Sequence, residues 1–183
     1  MAFDAFLKID GIDGESQDAQ HKGSIDVLSF SWGETRGSTV AHGSGGGAGK
    51  VSFQDLHFTM KVNVASPKLM LACATGKHIP KATLVCRQRA DERNVEFLKF
   101  TLTDVLVSSY ETRAGAEPQP AGAVDNASLA LTNSLTVNGD GIPVEKVSLN
   151  FARIEVASPS LNVDGSSTDQ VLAGWDLRFN RKA

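Results

Sequence analysis

Ser24-Ile-Asp-Val-Leu-Ser-Phe-Ser-Trp32 and Gln54-Asp-Leu-His-Phe-Thr-Met-Lys-Val62 read as two long strands joined through a glycine-rich connection, Gly33 to Lys50. In the first, Asp26, Leu28, Phe30 and Trp32 alternate with Ile25, Val27, Ser29 and Ser31. The expectation is that Leu28, Phe30 and Trp32 face a core and turn Ser29 and Ser31 to the opposite surface. In the second, Leu56, Phe58, Met60 and Val62 oppose Asp55, His57, Thr59 and Lys61. Each strand thus has one apolar face and one that tolerates solvent or a partner. The connection contains His42-Gly-Ser-Gly-Gly-Gly-Ala-Gly-Lys50. Hairpin loops usually take about two to five residues, so a span this long is a disordered tip, a ligand cradle, or an arm that orders on a partner.

Outward from this pair, alternation predicts more strands. Phe3 to Ile9 puts Phe3, Ala5, Leu7 and Ile9 on one side, and Asp10-Gly-Ile-Asp-Gly14 breaks the run with turn residues. Lys81 to Gln88 and Val95 to Ser109 form a hairpin around Asp91 to Asn94. Val144 to Val156 carries Val147, Leu149 and Phe151 on one face, and Val171 to Asn180 carries Trp175, Leu177 and Phe179. Leu129 to Val137 suggests a further short strand, and Ser158 to Asp169 reads as loop. One helix interrupts the pattern: Ser66 as N-cap, Pro67 at the first turn, Leu69, Met70 and Cys73 as an apolar stripe, and Gly76 as the stop. The prediction is a mainly β, single-domain β-barrel or sandwich with one short flanking helix.

The 183 residues are enough for one domain with a full core. A net charge of -3 argues against a nucleic-acid surface, and no apolar run is long enough to span a bilayer. Met1-Ala-Phe-Asp-Ala-Phe-Leu-Lys8 lacks the basic and apolar regions of a signal peptide, so folding in the cytoplasm is expected, with Cys73 and Cys86 as reduced, buried thiols.

The residues offer little catalytic or ligand chemistry. A phosphate loop ending at Gly49-Lys50 would need Gly where Ser44 stands and Ser or Thr where Val51 stands, with a helix rather than a strand following. Asp10, Asp13, Glu15, Asp18 and His21 lack the alternate spacing of a calcium loop, and turn capping is the better account. His21, His42, His57 and His78 are far apart in the chain, and no Ser has the flanking glycines of a nucleophile elbow. No enzyme, metal or cofactor is expected, and Trp32 and Trp175 read as core residues rather than a stacking platform.

The ordered series of short motifs goes further. Gly14-Glu15-Ser16-x-Asp18-x-x-His21-Lys22-Gly23-x-Ile25-Asp26-Val27 resembles the N-terminal signature of Hcp, the haemolysin-coregulated protein family of bacterial type VI secretion. Ser31-Trp32-Gly33, Gly47-Ala48-Gly49-Lys50-Val51, Gln54-Asp55-Leu56, Ser66-Pro67-x-Leu69, Gly76-Lys77-His78, Val105 to Ser109, Val147 to Ala152 and Gly174-Trp175 continue the resemblance in the family's order. The resemblance implies a β-barrel that forms homo-hexameric rings. These stack into the inner tube of a contractile injection machine, which leaves the cytoplasm on firing without a signal peptide. Implied partners are a spike protein at the tip, sheath and baseplate proteins, and small effectors carried in the lumen, with no nucleic acid and no stable membrane insertion. Under this reading Ser29 and Ser31 are candidates for lumen and effector contact, or else lie on a solvated or subunit-facing surface. His42, Gly45, Gly46, Gly47 and Lys50 become candidates for the contact between stacked rings. One departure is a lengthened loop or extra hairpin at about 111–143, beside the extended glycine-rich loop at 33–50. The alternative role is an effector-binding chaperone or adaptor ring that does not polymerise.

Overall fold

The computed structural model describes residues 3–38, 48–90, 93–114, 142–161 and 167–183. Its strands are β1 (Phe3–Ile9), β2 (Ile25–Val27), β3 (Ser29–Ser31), β4 (Glu34–Ser38), β5 (Ala48–Phe53), β6 (Leu56–Lys61), β7 (Ile79–Ala90), β8 (Arg93–Arg113), β9 (Val144–Leu161), β10 (Ser167–Asp176) and β11 (Arg181–Lys182), with the helix α1 (Ser66–Thr75) after β6. Among the described residues the fold is therefore mainly β with one helix, as the alternation predicts. Every described ladder is antiparallel.

Pairing follows the path β2–β1–β7–β8–β9–β6–β3. Its two ends, β2 and β3, are successive pieces of one segment separated only by Leu28, so the path returns on itself through the chain rather than through a ladder. The core fills this curved sheet with Leu7, Ile25, Leu56, Phe58, Leu84, Leu102 and Leu149. Strand β9 is the branch point. One of its edges pairs with β8, while the other pairs with β6 through Val144–Leu149 and then with β10 through Arg153–Leu161. Where the second edge changes partner, the Leu177 amide donates to the Ala152 carbonyl at 2.9 Å, so the gap does not orphan that backbone oxygen.

Leu28 corrects the sequence reading of the first strand. Ile25 and Val27 are buried, whereas Leu28 is 43% exposed. Beyond it Phe30 and Trp32 pack, half-buried, against the core. Leu28 and Ser29 are both exposed, so the alternation changes parity at this point, as an irregularity between two pairing partners allows. The Leu28 amide donates to the Thr59 carbonyl at 2.8 Å, holding the kink against β6. Trp32 belongs to an aromatic row at the core margin, 5.7 Å from Phe100 and 6.3 Å from Phe53 between ring centroids.

Part of the span 33–50 is strand: β4 and β5 pair as a separate two-stranded ribbon. The glycine-rich stretch between them, and the Leu129–Val137 segment, lie outside the described residues. Strand β9 runs past Val156 to Leu161, and β10 begins at Ser167, so less of 158–169 is loop than expected. The strand expected to run to Asn180 ends at Asp176, because the Asp176 carboxylate accepts from the amides of Arg178 and Phe179 at 3.0 and 3.2 Å and turns the chain toward β11.

Helix α1 has the expected bounds and a different start. Ser66 is the first helical residue and Ala65 the N-cap, with no side-chain cap bond; Asn63 Oδ1 accepts from the Ala65 amide at 2.8 Å in the turn before it. Gly76 adopts the left-handed conformation at φ 61°, and the Lys77 amide donates back to the Ala72 carbonyl at 3.2 Å. Leu69 and Ala72 are buried, but Met70 points outward, contrary to the expected stripe.

Candidate functional site

The face of β3, β6, β9 and β8 opposite the core carries a connected set of polar side chains. Register sets Ser31 opposite His57, His57 opposite Ser148, and Ser148 opposite Ser109; the next row sets Ser29 opposite Thr59, Lys146 and then Glu111. The side chains pair with each other. Ser29 Oγ and Thr59 Oγ1 are 2.7 Å apart, and His57 Nδ1 lies 2.7 Å from Ser148 Oγ. The Asp55 carboxylate accepts from the Ser108 hydroxyl through one oxygen and from Asn150 Nδ2 at 2.7 Å through the other. A face whose hydrogen-bonding groups satisfy each other is held in one arrangement and presents few unmet demands to whatever lies on it.

This surface contains both serines singled out from the sequence, and both are exposed. Of the other candidates, His42, Gly45, Gly46 and Gly47 lie outside the described residues, and Lys50 is placed in β5 by its backbone alone. Sequence reasoning missed Asp55, His57, Ser108, Ser148 and Asn150, which come together only through strand register. The His57–Ser148 contact has the length of a base–nucleophile hydrogen bond. Ser148 is only 6% exposed, however, and Asp55 is engaged by Ser108 and Asn150 and so does not orient His57. The contact is therefore part of the sheet's polar packing.

Two other polar clusters serve the fold. Arg87, buried on the outer side of β7, donates to Asp18 at 2.6 and 3.1 Å and to Asp4 at 3.3 Å, and lies 4.9 Å from the Phe6 ring, against which His21 stacks. The cluster ties the segment between β1 and β2 to the sheet. Its hydrogen bonds from Arg87 hold the Asp18 carboxyl down at about 2. A carboxylate whose folded value is depressed contributes stability above its ordinary value of 3.8, and loses it as pH falls toward about 2. The parent should thus lose thermal stability across that window, and Arg87→Gln should lose measurably less. Melting curves between about pH 5 and about pH 2 check this, and parallel curves would assign the acid loss to other groups.

The second cluster is buried. Glu145, 1% exposed, accepts from Ser66 Oγ at 2.7 Å, from Thr112 Oγ1 at 3.3 Å and from the Tyr110 hydroxyl. Burial, then the adjacent Glu145, raise the Tyr110 phenol above its ordinary value. This carboxylate joins the first turn of α1 to β8 and β9. Cys86 is buried as expected, with its thiol pushed up to about 11 by burial, whereas Cys73, also expected to be buried, is half-buried. Among the described residues no group of three His, Cys, Asp or Glu is placed to hold a metal ion, and no helix is long and apolar enough to cross a membrane.

At the other end of the sheet, β10 pairs with β9 along one edge but with β11 only at Trp175 and Asp176. Val171 and Leu172 on this strand are 67% and 62% exposed. Beside it a groove of about 470 Å³ is lined by Trp32, Phe53, Val156, Leu172 and Trp175. Neither buried indole N–H meets an acceptor among the described residues.

The described residues thus form an antiparallel, mainly β body with a flanking helix, a polar face with many mutual hydrogen bonds, and exposed Val171 and Leu172 on β10. The chain belongs to the Hcp family of type VI secretion system effectors, whose model matches residues 6–157. It is 39% identical over 184 residues to Protein hcp1 of Pseudomonas aeruginosa, covering the whole of both chains. Among solved structures it is similar over the full length of both chains to Hcp1 from Salmonella typhimurium, at 36% identity and a TM-score of 0.72. It is likewise similar to a type six secretion system protein at 29% identity and a TM-score of 0.80.

Proposed function

We propose that this Hcp-family chain is the subunit of a type VI inner tube. It assembles into hexameric rings that stack, leaves the cytoplasm with the machine's contraction, and carries small effectors in the lumen. It acts by assembly and not by catalysis, in contact with sheath, baseplate and tip spike. The observation that carries this reading is the pairing of two surfaces on one chain. The β3–β6–β9–β8 face is polar and largely hydrogen-bonded within itself, suited to lining a channel without gripping its contents. Among the described residues the outer edge of β10 is unpaired before Trp175 and carries the exposed Val171 and Leu172, a state that soluble proteins normally cover. A neighbouring copy covering that edge by a head-to-tail contact gives a closed ring. Ser29 and Ser31 then face the lumen, and the β4–β5 ribbon with His42, Gly45, Gly46, Gly47 and Lys50 is the candidate for contact between rings. The lengthened span at about 111–143 is read as a longer-loop variant of the same role.

Light scattering coupled to size exclusion tests the ring. A six-subunit mass that persists on dilution is expected, and Val171→Asp with Leu172→Asp should reduce it to smaller species. A parent that stays monomeric at high concentration contradicts the proposal. Rings that never stack, even with sheath and baseplate proteins present, would point to a non-polymerising effector-binding ring instead.

A further inference from the structure

We infer that His57 makes the polar face proton-dependent, so that the face takes acidic peptide segments when the imidazole is protonated. The inference rests on reading this face as the cargo surface. His57 sits centrally in its row, between Ser31 on β3 and Ser148 on β9. Its Nδ1 is committed to Ser148 Oγ at 2.7 Å, and no described group engages Nε2. The neighbouring polar pairs are closed on themselves: Ser29 with Thr59, and Asp55 with Ser108 and Asn150. His57 is therefore the group on the face with an unengaged hydrogen-bonding atom, and an imidazole is the side-chain type that serves as a proton-dependent charge in proteins.

The charged groups beside His57 on this face are Asp55 just before β6, Lys61 at the end of β6, Lys146 on β9, and Glu111 with Arg113 on β8; β3 contributes only Ser29 and Ser31. Glu111 and Arg113 pair at 2.9 Å, and Asp55 is hydrogen-bonded through both oxygens. These groups leave a small positive excess, and one added positive charge at the centre of the face deepens the surface's preference for negative segments. A ring would repeat that change in every subunit. Segments rich in Asp or Glu are then held more tightly in acid, and uncharged segments are unaffected.

The probe is rhodamine-labelled deca-glutamate, with a Gly-Ser peptide of equal length as control, followed by fluorescence anisotropy. Between about pH 7.5 and about pH 5.5 the parent should bind deca-glutamate at least about threefold more tightly, as expected for one surface charge pair. His57→Gln, which keeps a group able to bond Ser148, should lose that gain, and the Gly-Ser peptide should show none in either protein. A gain of equal size in His57→Gln, or none in the parent, overturns the inference. Light scattering at both pH values separates the two readings. A parent–variant difference without rings upholds the proton dependence and removes the tube, and rings without a difference do the reverse.

Discussion

Phe58→Ala should destabilise the chain by about 3–5 kcal/mol, the range for removing a buried aromatic ring and leaving a partly collapsed cavity. Phe58 is 1% exposed and stands between Phe30 on β3 and Val147 on β9 in the ladder order. It lies where the path of strands returns to its own chain, so its loss loosens β3 and β6 together. Whole domains are stable by only about 5–15 kcal/mol, so this one change removes a large fraction of the total. Urea unfolding measures it, with the exposed Phe179→Ala as a near-neutral companion. A loss below about 1 kcal/mol for Phe58→Ala would mean that β6 does not present this face to the core.

Gly14→Ala should cost about 3 kcal/mol, the upper part of the range for forcing atoms into filled space. A Cβ at this position would lie 2.4 Å from the Ser24 carbonyl oxygen and 2.7 Å from the Ile25 Cα. Both are backbone atoms, so no side chain can swing aside. Gly14 also donates to the Gly23 carbonyl at 2.9 Å, and the Ser16 amide to that of Ser24 at 3.0 Å, so the added methyl pries this pairing apart just before the buried Ile25. Gly33→Ala is the matched control, because its Cβ would meet only the movable Gln54 side chain, at 3.3 Å. Equal melting temperatures for the two variants would show that the segment before β2 relaxes without cost.

Alternation located most of the strands because each has one face in the core, and period two is then imposed by burial itself. It failed at Leu28, where continuing the period through a kink placed Asp26 and Leu28 with Phe30 instead of Ile25 and Val27. No local signal marks that change, since Leu28 is apolar and fits either face. Glu145 was legible in principle: it shares its parity with Val147 and Leu149, so a carboxylate on the core side called for buried hydroxyl partners. The β9 branch and the Ser31–His57–Ser148 row depend on which strands meet and in what register. Those are long-range facts that periodicity does not carry. The exposure of Ser29 and Ser31 was legible because they alternate with half-buried Phe30 and Trp32, whereas His57 appeared in the sequence as one of four scattered histidines.

The central claim is that the polar face of β3, β6, β9 and β8 lines the channel of a ring. A cryo-electron microscopy map of the purified assembly tests it most directly. The account predicts a six-fold ring with Ser31 and His57 on the wall of its central hole and Val171 and Leu172 buried between neighbouring subunits. A ring with Ser31 and His57 on its outer circumference, and Val171 and Leu172 open to solvent, would contradict it.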